Sequence, residues 1–244
     1  MPVIEVSKLR KTYGKRIAVD EVSFTVEEGE IFGIVGPNGA GKTTTVESVT
    51  GLRRPSGGEI RVLGHDPLRE PAAVREKLGV QLQDGQLPDR LRVGEALDLF
   101  ASFYRDPADP GLLLEMLGLT AHRKQSYKKL SGGQKQRLSI ALALVGNPRI
   151  AVFDELTTGL DPNARRATWR LVENVRSRGV TVLLVTHFME EAERLCDRVA
   201  VIDGGRVIGL DTPAGIVAAA GTANLDDAFL TLTGRSIDDV EVRS

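Results

Sequence analysis

The sequence predicts an α/β protein built on a largely parallel sheet, and three observations carry that reading. Short β-rich runs alternate with helical patterns along most of the chain; one strand runs through a glycine-rich loop straight into a helix; and one stretch, from about residue 84 to 130, loses its β signal altogether. Strands separated by helices of about 10–15 residues require right-handed crossovers, and a parallel sheet so made presents its ligand site at the carboxyl edge.

Taken in order, Val3–Val6, Val22–Val26 and Ile31–Val35 read as strands, and the third feeds the loop before the helical pattern Lys42–Val49. Glu59–Leu63 is a further strand, and Leu78–Leu82 follows a helical Ala72–Lys77. Val93–Tyr104 and Leu112–Leu117 have helical spacing, with Pro88, Pro107 and Pro110 at the joins, so the stretch 84–130 reads as a helical insertion. Gln134–Val145 is helical, and Ile150–Phe153 restores the β signal. Helix Asn163–Arg178, strand Val180–Val185, helix Phe188–Cys196 and strands Val199–Ile202 and Arg206–Leu210 complete the alternation. A short helical tail over 211–244, including Leu225–Leu232, closes a single domain expected over 3–235.

Composition narrows the function classes. The 244 residues carry 32 Lys and Arg against 33 Asp and Glu, a formal charge of −1, so there is no net positive field to wrap a nucleic acid. The longest uninterrupted apolar run, Ile140 to Val145, is far short of the roughly 18–20 residues that cross a bilayer. One cysteine, Cys196, makes neither an internal disulfide nor a thiolate cluster, and the N-terminus has no apolar leader, so a cytoplasmic address is expected. The 26 glycines point to backbone that something approaches closely. His65, His122 and Cys196 have no partners at ligand spacing and read as structural or surface residues, and Trp169 reads as packing.

The chemistry begins at Gly36-Pro37-Asn38-Gly39-Ala40-Gly41-Lys42-Thr43, followed by Thr44, which fits G-x-x-x-x-G-K-[ST] between a strand and a helix. Glycines there let successive N–H groups turn inward around phosphates, the helix N-terminus adds partial positive charge, and Lys42 reaches the β and γ oxygens. The Thr43 hydroxyl is the expected Mg²⁺ ligand. A glycine-rich turn with an incidental lysine would not need that strand–loop–helix setting; a nucleoside triphosphate is the expected ligand.

Ile150-Ala151-Val152-Phe153-Asp154-Glu155 supplies a second element, an apolar strand ending in two carboxylates whose side chains diverge. That divergence lets Asp154 hold Mg²⁺, through water, while Glu155 polarises the water that attacks the γ-phosphate. Ser131, Gly132 and Gly133 precede a helical pattern and so present a hydroxyl, free N–H groups and a helix dipole, a second anion site in one chain.

Leu130-Ser131-Gly132-Gly133-Gln134-Lys135-Gln136-Arg137 resembles the signature of ATP-binding-cassette ATPases, and the family's other marks occur in the family's order. Tyr13, 23 residues before Gly36, is similar to the aromatic residue that stacks on adenine; Gln83, 41 residues after Lys42, is similar to the Q-loop glutamine that contacts Mg²⁺ or the attacking water. Asp161 in Gly159-Leu160-Asp161 matches the D-loop, and His187 matches the switch histidine that bonds the γ-phosphate. The resemblance covers residues 3–210 and implies a P-loop NTPase core with a mixed, largely parallel sheet, an N-terminal antiparallel β part and a helical insertion subdomain. It further implies ATP and Mg²⁺, and a two-fold sandwich in which Ser131, Gly132, Gly133 and Gln134 of one copy close on the γ-phosphate held by another. One departure stands out: the family usually has proline after the Asp-Glu pair, where this chain has Leu156, which loosens the link to the D-loop.

Three tasks suit such an ATPase. The tail Leu225–Arg235 and the Asp154–Asp161 run resemble exporter ATPases that serve drugs, antibiotics, lipids and polysaccharides, with the spanning helices on a separate permease and the ATPase peripheral to the inner face of the membrane. Multidrug export falls within that expectation. A translation-associated cassette normally joins two cassettes with basic linkers, and a chromosome-associated one interrupts its cassette with long coiled coils; a single cassette at net charge −1 without heptads fits neither ribosomes nor DNA as well.

Overall fold

Two long strands, β1 (Pro2–Tyr13) and β2 (Arg16–Glu27), open the chain, and both outrun the short segments expected from alternation. The reason is a pair of bulges. In β1 the buried residues Ile4, Val6 and Leu9 are spaced two and then three apart, and Lys8 between them has φ 47°, so the strand gains a residue and still returns Leu9 to the core. In β2 the positive φ of Glu21 does the same between Val19 and Val22. A period-two reading ends at such a residue, whereas the ladder continues through it: Leu9 opposes Val22 and Lys11 opposes Val19. The computed structural model in which these features are seen describes residues 1–82 and 86–234.

The fully buried strand β3 (Ile31–Val35) leads through the glycine-rich loop into helix α1 (Lys42–Val49). Strand β4 (Gly57–Val62) pairs antiparallel with β1, so that β2-β1-β4 form an antiparallel sheet against which α1 lies.

The chain divides into two compact units: Met1–Glu70 together with the chain from Leu184 onward, and Pro71–Leu183. In the second unit a short helix, α2 (Pro71–Arg75), precedes β5 (Leu78–Gln81). The insertion contains α3 (Val93–Ala101) and α4 (Pro110–Met116), the latter capped by Asp109, whose carboxylate accepts the N–H groups of Gly111 and Leu112. Two 3₁₀ turns, Thr120–His122 and Tyr127–Lys129, connect it to α5 (Gly132–Leu144), which begins two residues earlier than the helical pattern suggested. Glycine lowers helix propensity, but a capping box at Ser131 sets the start regardless. Strand β6 (Ile150–Asp154) runs parallel to β5, Leu78 opposing Ile150 and Gln81 opposing Phe153. Helix α6 (Pro162–Ser177) buries Thr168, Trp169, Val172 and Val175 along one face, and β7 (Thr181–Thr186) returns the chain to the first unit.

There, α7 (Met189–Leu195) packs on β3, and β8 (Arg198–Asp203) runs parallel to β3 with Phe32 opposing Arg198. Strand β9 (Arg206–Asp211) turns back antiparallel to β8. The tail forms α8 (Pro213–Ala220) and α9 (Leu225–Thr233), capped by Thr212 and Asn224, and α9 covers α7, α8 and β9. Parallel pairs, an antiparallel N-terminal sheet and interleaved helices make the α/β fold the sequence predicts, and no described helix is long and apolar enough to cross a membrane.

Candidate functional site: a phosphate loop and a capped signature turn

The glycine-rich loop in the first unit has a backbone that a side chain would obstruct. Gly36 has φ 151° and a Cβ there would stand 2.0 Å from the Ile202 carbonyl oxygen; at Gly41, φ 105°, it would stand 2.5 Å from that of Ala18. The loop is tied to the turn between β8 and β9, since Gly205 N–H donates to Ala40 O at 2.9 Å and Asp20 N–H donates to Gly205 O at 2.8 Å. Lys42 is buried, and its ammonium donates to the carbonyls of Gly36 (2.8 Å) and Pro37 (3.0 Å), which holds the charge across the mouth of the loop.

Helix α1 differs at its first turn from the five helices that a side chain caps. Side chains of Asp109, Ser131, Asp161, Thr212 and Asn224 cap α4, α5, α6, α8 and α9, whereas α1 starts at left-handed Gly41 with no side-chain cap and no acidic residue in its first turn. The N-terminal end of its dipole, with the Lys42 ammonium and the glycine cradle, fits the phosphates of ATP. Thr43 is exposed at the second helical position and Thr44 half-buried at the third.

Also in the first unit, Tyr13 ends β1 with its ring 42 % exposed, the Lys11 ammonium 5.1 Å and the Arg53 guanidinium carbon 5.4 Å from the ring centre. Both cations lie over the ring, so this part-exposed aromatic is held in a positively charged setting. His187 follows the last residue of β7, half-buried, with its ring 4.1 Å from that of Phe188, whose N–H is held by the Thr186 hydroxyl at 3.0 Å.

The second unit holds the carboxylates. Asp154 is 1 % exposed at the end of β6, and Glu155 takes φ 52°, the left-handed region that non-glycine residues enter at a cost. The Thr158 hydroxyl donates to the Glu155 carboxylate at 3.4 Å. Leu156 is fully buried, so the residue standing where the family has proline anchors this turn by apolar burial instead of a fixed φ. Gln83 lies outside the described residues. Its neighbour Gln81 is described, and its side chain accepts the Asp154 backbone N–H at 3.2 Å while donating to the Leu82 carbonyl at 2.9 Å.

At the signature segment, Ser131 caps α5. Its hydroxyl accepts the Gln134 N–H at 3.3 Å, and the Gln134 carboxamide oxygen accepts the Ser131 N–H at 2.9 Å. Gly132 and Gly133 thereby become the first helical residues, with N–H groups free of intrahelical partners. They line an open cleft of about 360 Å³ together with Ser131, Arg137 and Asp161. Asp161 is itself a cap: its carboxylate accepts the N–H groups of Asn163 (2.9 Å) and Ala164 (3.0 Å) at the start of α6. The N-terminus of α5, with the Gly132 and Gly133 N–H groups, and Arg137 on the same cleft make a second surface for an anion.

The structure thus brings Gly36–Thr44 together as one cradle and Ser131–Gln134 with Asp161 as another, the first in one unit and the second in the other. Two participants escape sequence reasoning. Gln81 acts through a backbone bond that no motif spacing records. His122 is joined to Gln134 at 3.0 Å through its Nε2, a contact made across a 3₁₀ turn and a twelve-residue separation without periodicity.

With this geometry in view, the sequence profile of the family described as ABC transporter matches residues 19–158, more than half of the chain. A Nod factor export ATP-binding protein I from Paraburkholderia xenovorans (strain LB400) is 42 % identical over 223 residues, covering 88 % of this chain and 73 % of that protein. Among solved structures, the ATP-binding subunit of an ABC transporter superposes with a TM-score of 0.85 at 30 % identity, over 95 % of this chain and 99 % of the other. An ATP-binding cassette solved as a dimer in a post-hydrolysis state with ADP and phosphate gives a TM-score of 0.76 at 28 % identity, over 86 % and 98 % of the two chains. The chain belongs to the ABC transporter family, as one of its ATPases.

Proposed function

We propose that this ATPase drives export of a drug, antibiotic, lipid or polysaccharide through a separate membrane permease. The reading is supported by relatives named for Nod factor export, with which the chain shares 42 % identity. It also accords with the exporter-like tail that folds as α9. On this reading residues 3–235 form one cassette, peripheral to the cytoplasmic face of the membrane, with an insertion over about 84–130 and a tail over 211–244.

The observation that carries the mechanism is the presence of two anion surfaces in one chain, the cradle at Gly36–Thr44 and the cleft at Ser131 and Asp161. Each copy of the chain contributes its cradle to one ATP and its signature turn to another, so that two copies, arranged about a two-fold axis, enclose two nucleotides. Thr43 and Gln83, with Asp154 through water, would hold Mg²⁺, which would offset charge on the phosphates. Tyr13 stacks on the base, Glu155 takes the proton of the attacking water, and His187 donates to the γ-phosphate. Closure of the sandwich moves the permease, and hydrolysis reopens it.

Ser131→Ala tests this. It should lower turnover and ATP-driven dimerisation while nucleotide binding to the single chain stays near wild type; lost nucleotide binding with unchanged dimerisation would sink the reading. Co-purification separates the classes: recovery of a permease with about six spans agrees with transport, whereas recovery of ribosomes or DNA favours a non-transport cassette.

A further inference from the structure

We propose that His122 is a positioning residue for the signature turn, holding the Gln134 carboxamide in the orientation that closes the cap on Ser131. The proposal rests on the reading above, in which Ser131–Gln134 acts on a nucleotide held by a second copy.

The argument is one of hydrogen-bond direction. Gln134 Oε1 accepts the Ser131 N–H at 2.9 Å, so Nε2 of the same carboxamide faces away, and it stands 3.0 Å from His122 Nε2. An amide nitrogen only donates; the imidazole nitrogen facing it must therefore be the bare acceptor, with the ring proton on Nδ1. Nδ1 lies 2.9 Å from Gln125 Oε1, an acceptor, and Gln125 is oriented in turn because its Nε2 donates to the Lys129 carbonyl at 2.7 Å. Every bond in the relay points the same way, from the Ser131 N–H at one end to the Lys129 carbonyl at the other, and both ends are backbone. Reversing any one member sets two donors or two acceptors against each other.

The relay is also moored to the insertion. Gln125 O accepts the Val93 N–H at 3.0 Å and Arg123 O accepts the Gly94 N–H at 2.8 Å, so the first turn of α3 and the cap of α5 are held by the same short segment. A glutamine capping box alone holds its carboxamide by the oxygen end only, so the side chain can leave the cap by rotating about its own torsions. His122 removes that freedom, and the turn that presents the Ser131 hydroxyl and the Gly132 and Gly133 N–H groups is fixed before a nucleotide reaches it.

The test compares His122→Ala and His122→Gln in the full chain, with Ser131→Ala as a control for the underlying reading. Steady-state ATPase turnover and binding of a fluorescent ATP analogue to the single chain are measured for each. His122→Ala should lower kcat about three- to tenfold, the effect of one neutral hydrogen bond, and leave nucleotide binding unchanged. His122→Gln places an acceptor at a similar reach and should recover most of that loss. Wild-type kcat in His122→Ala beside an impaired Ser131→Ala overturns the proposal alone, as does equal impairment of His122→Ala and His122→Gln. Wild-type kcat in Ser131→Ala overturns the two-copy reading and the role of His122 with it.

Discussion

Gln81 binds the backbone of Asp154: its side-chain oxygen accepts the Asp154 N–H at 3.2 Å, while its nitrogen holds the Leu82 carbonyl at 2.9 Å. One buried carboxamide at the end of β5 therefore fixes both the start of the carboxylate turn and the backbone just before Gln83. Gln81→Leu keeps the volume but removes both of these bonds, which should cost about 1–3 kcal/mol in chemical denaturation. Because the same change loosens the segment that leads to Gln83, kcat should fall more than ATP affinity does. Unchanged stability together with unchanged kcat would remove Gln81 from the site.

The glycine cradle gives a harder constraint. A Cβ at position 36 would sit 2.0 Å from the Ile202 carbonyl oxygen, and that oxygen belongs to β8, the parallel neighbour of β3. Neither backbone can yield without disturbing the ladder, so Gly36→Ala should lose about 3 kcal/mol of stability and most nucleotide affinity. Gly39→Ala is the contrast: its φ of 79° carries a conformational cost, but nothing lies within 4 Å of the added methyl. Thermal melting of the two variants should rank them in that order.

Much of this was legible in the sequence because the chemistry forces it. A phosphate cradle needs glycines at fixed offsets and a lysine on the following helix, so Gly36–Thr43 declares itself, and α1 falls on the predicted Lys42–Val49. Apolar strands such as β3 and β6 are likewise visible by their unbroken burial. The bulges at Lys8 and Glu21 were not, since they break the alternation that identifies strands while preserving the burial that stabilises them. Asp161 was expected at the nucleotide and is found capping α6, a role its Asp-Pro pairing also encodes; the two are compatible because only one carboxylate oxygen is engaged by the cap. Contacts such as Gln81 to Asp154 and His122 to Gln134 join residues 73 and 12 positions apart and follow no period, so they become visible only in three dimensions.

Glu30 predicts how stability responds to pH. Burial raises its carboxyl pKa above the ordinary value, against the lowering effects of the Glu27 N–H bond and of Arg198, whose guanidinium is 3.4 Å away. A raised pKa means that the folded state holds the proton more tightly than the unfolded one. Stability from this group is therefore present at acid pH and is lost as pH rises through the window just above the usual carboxylate range. Glu30→Gln keeps a carbonyl acceptor for Glu27 and removes the charge, so it should raise the melting temperature at pH 7. In acid, where the wild-type carboxyl is already protonated, the two melting temperatures should converge. A variant that is less stable at pH 7 would show that the ion pair with Arg198 outweighs the burial.

Glu155 combines a chemical role with a backbone cost, and two substitutions separate them. Its φ of 52° places a non-glycine residue in the left-handed region immediately after the buried Asp154, and the turn it makes is closed by Thr158 N–H to Glu155 O at 3.3 Å. Strain held at such a point is expected where the side chain's direction matters more than the stability of the fold. Glu155→Gln keeps the shape and the strain but removes the carboxylate proposed to take the proton of the attacking water; turnover should fall at least about a hundredfold, while ATP binding persists and a stable dimer accumulates in size-exclusion chromatography with Mg-ATP. Glu155→Gly removes the side chain and the backbone cost together, so its melting temperature should rise above wild type although turnover is equally lost. The pair is decisive because a residue serving only the turn would keep its activity when replaced by glutamine, which preserves the shape. Wild-type turnover in Glu155→Gln, measured as phosphate release at saturating Mg-ATP, would take the water-polarising role away from Glu155.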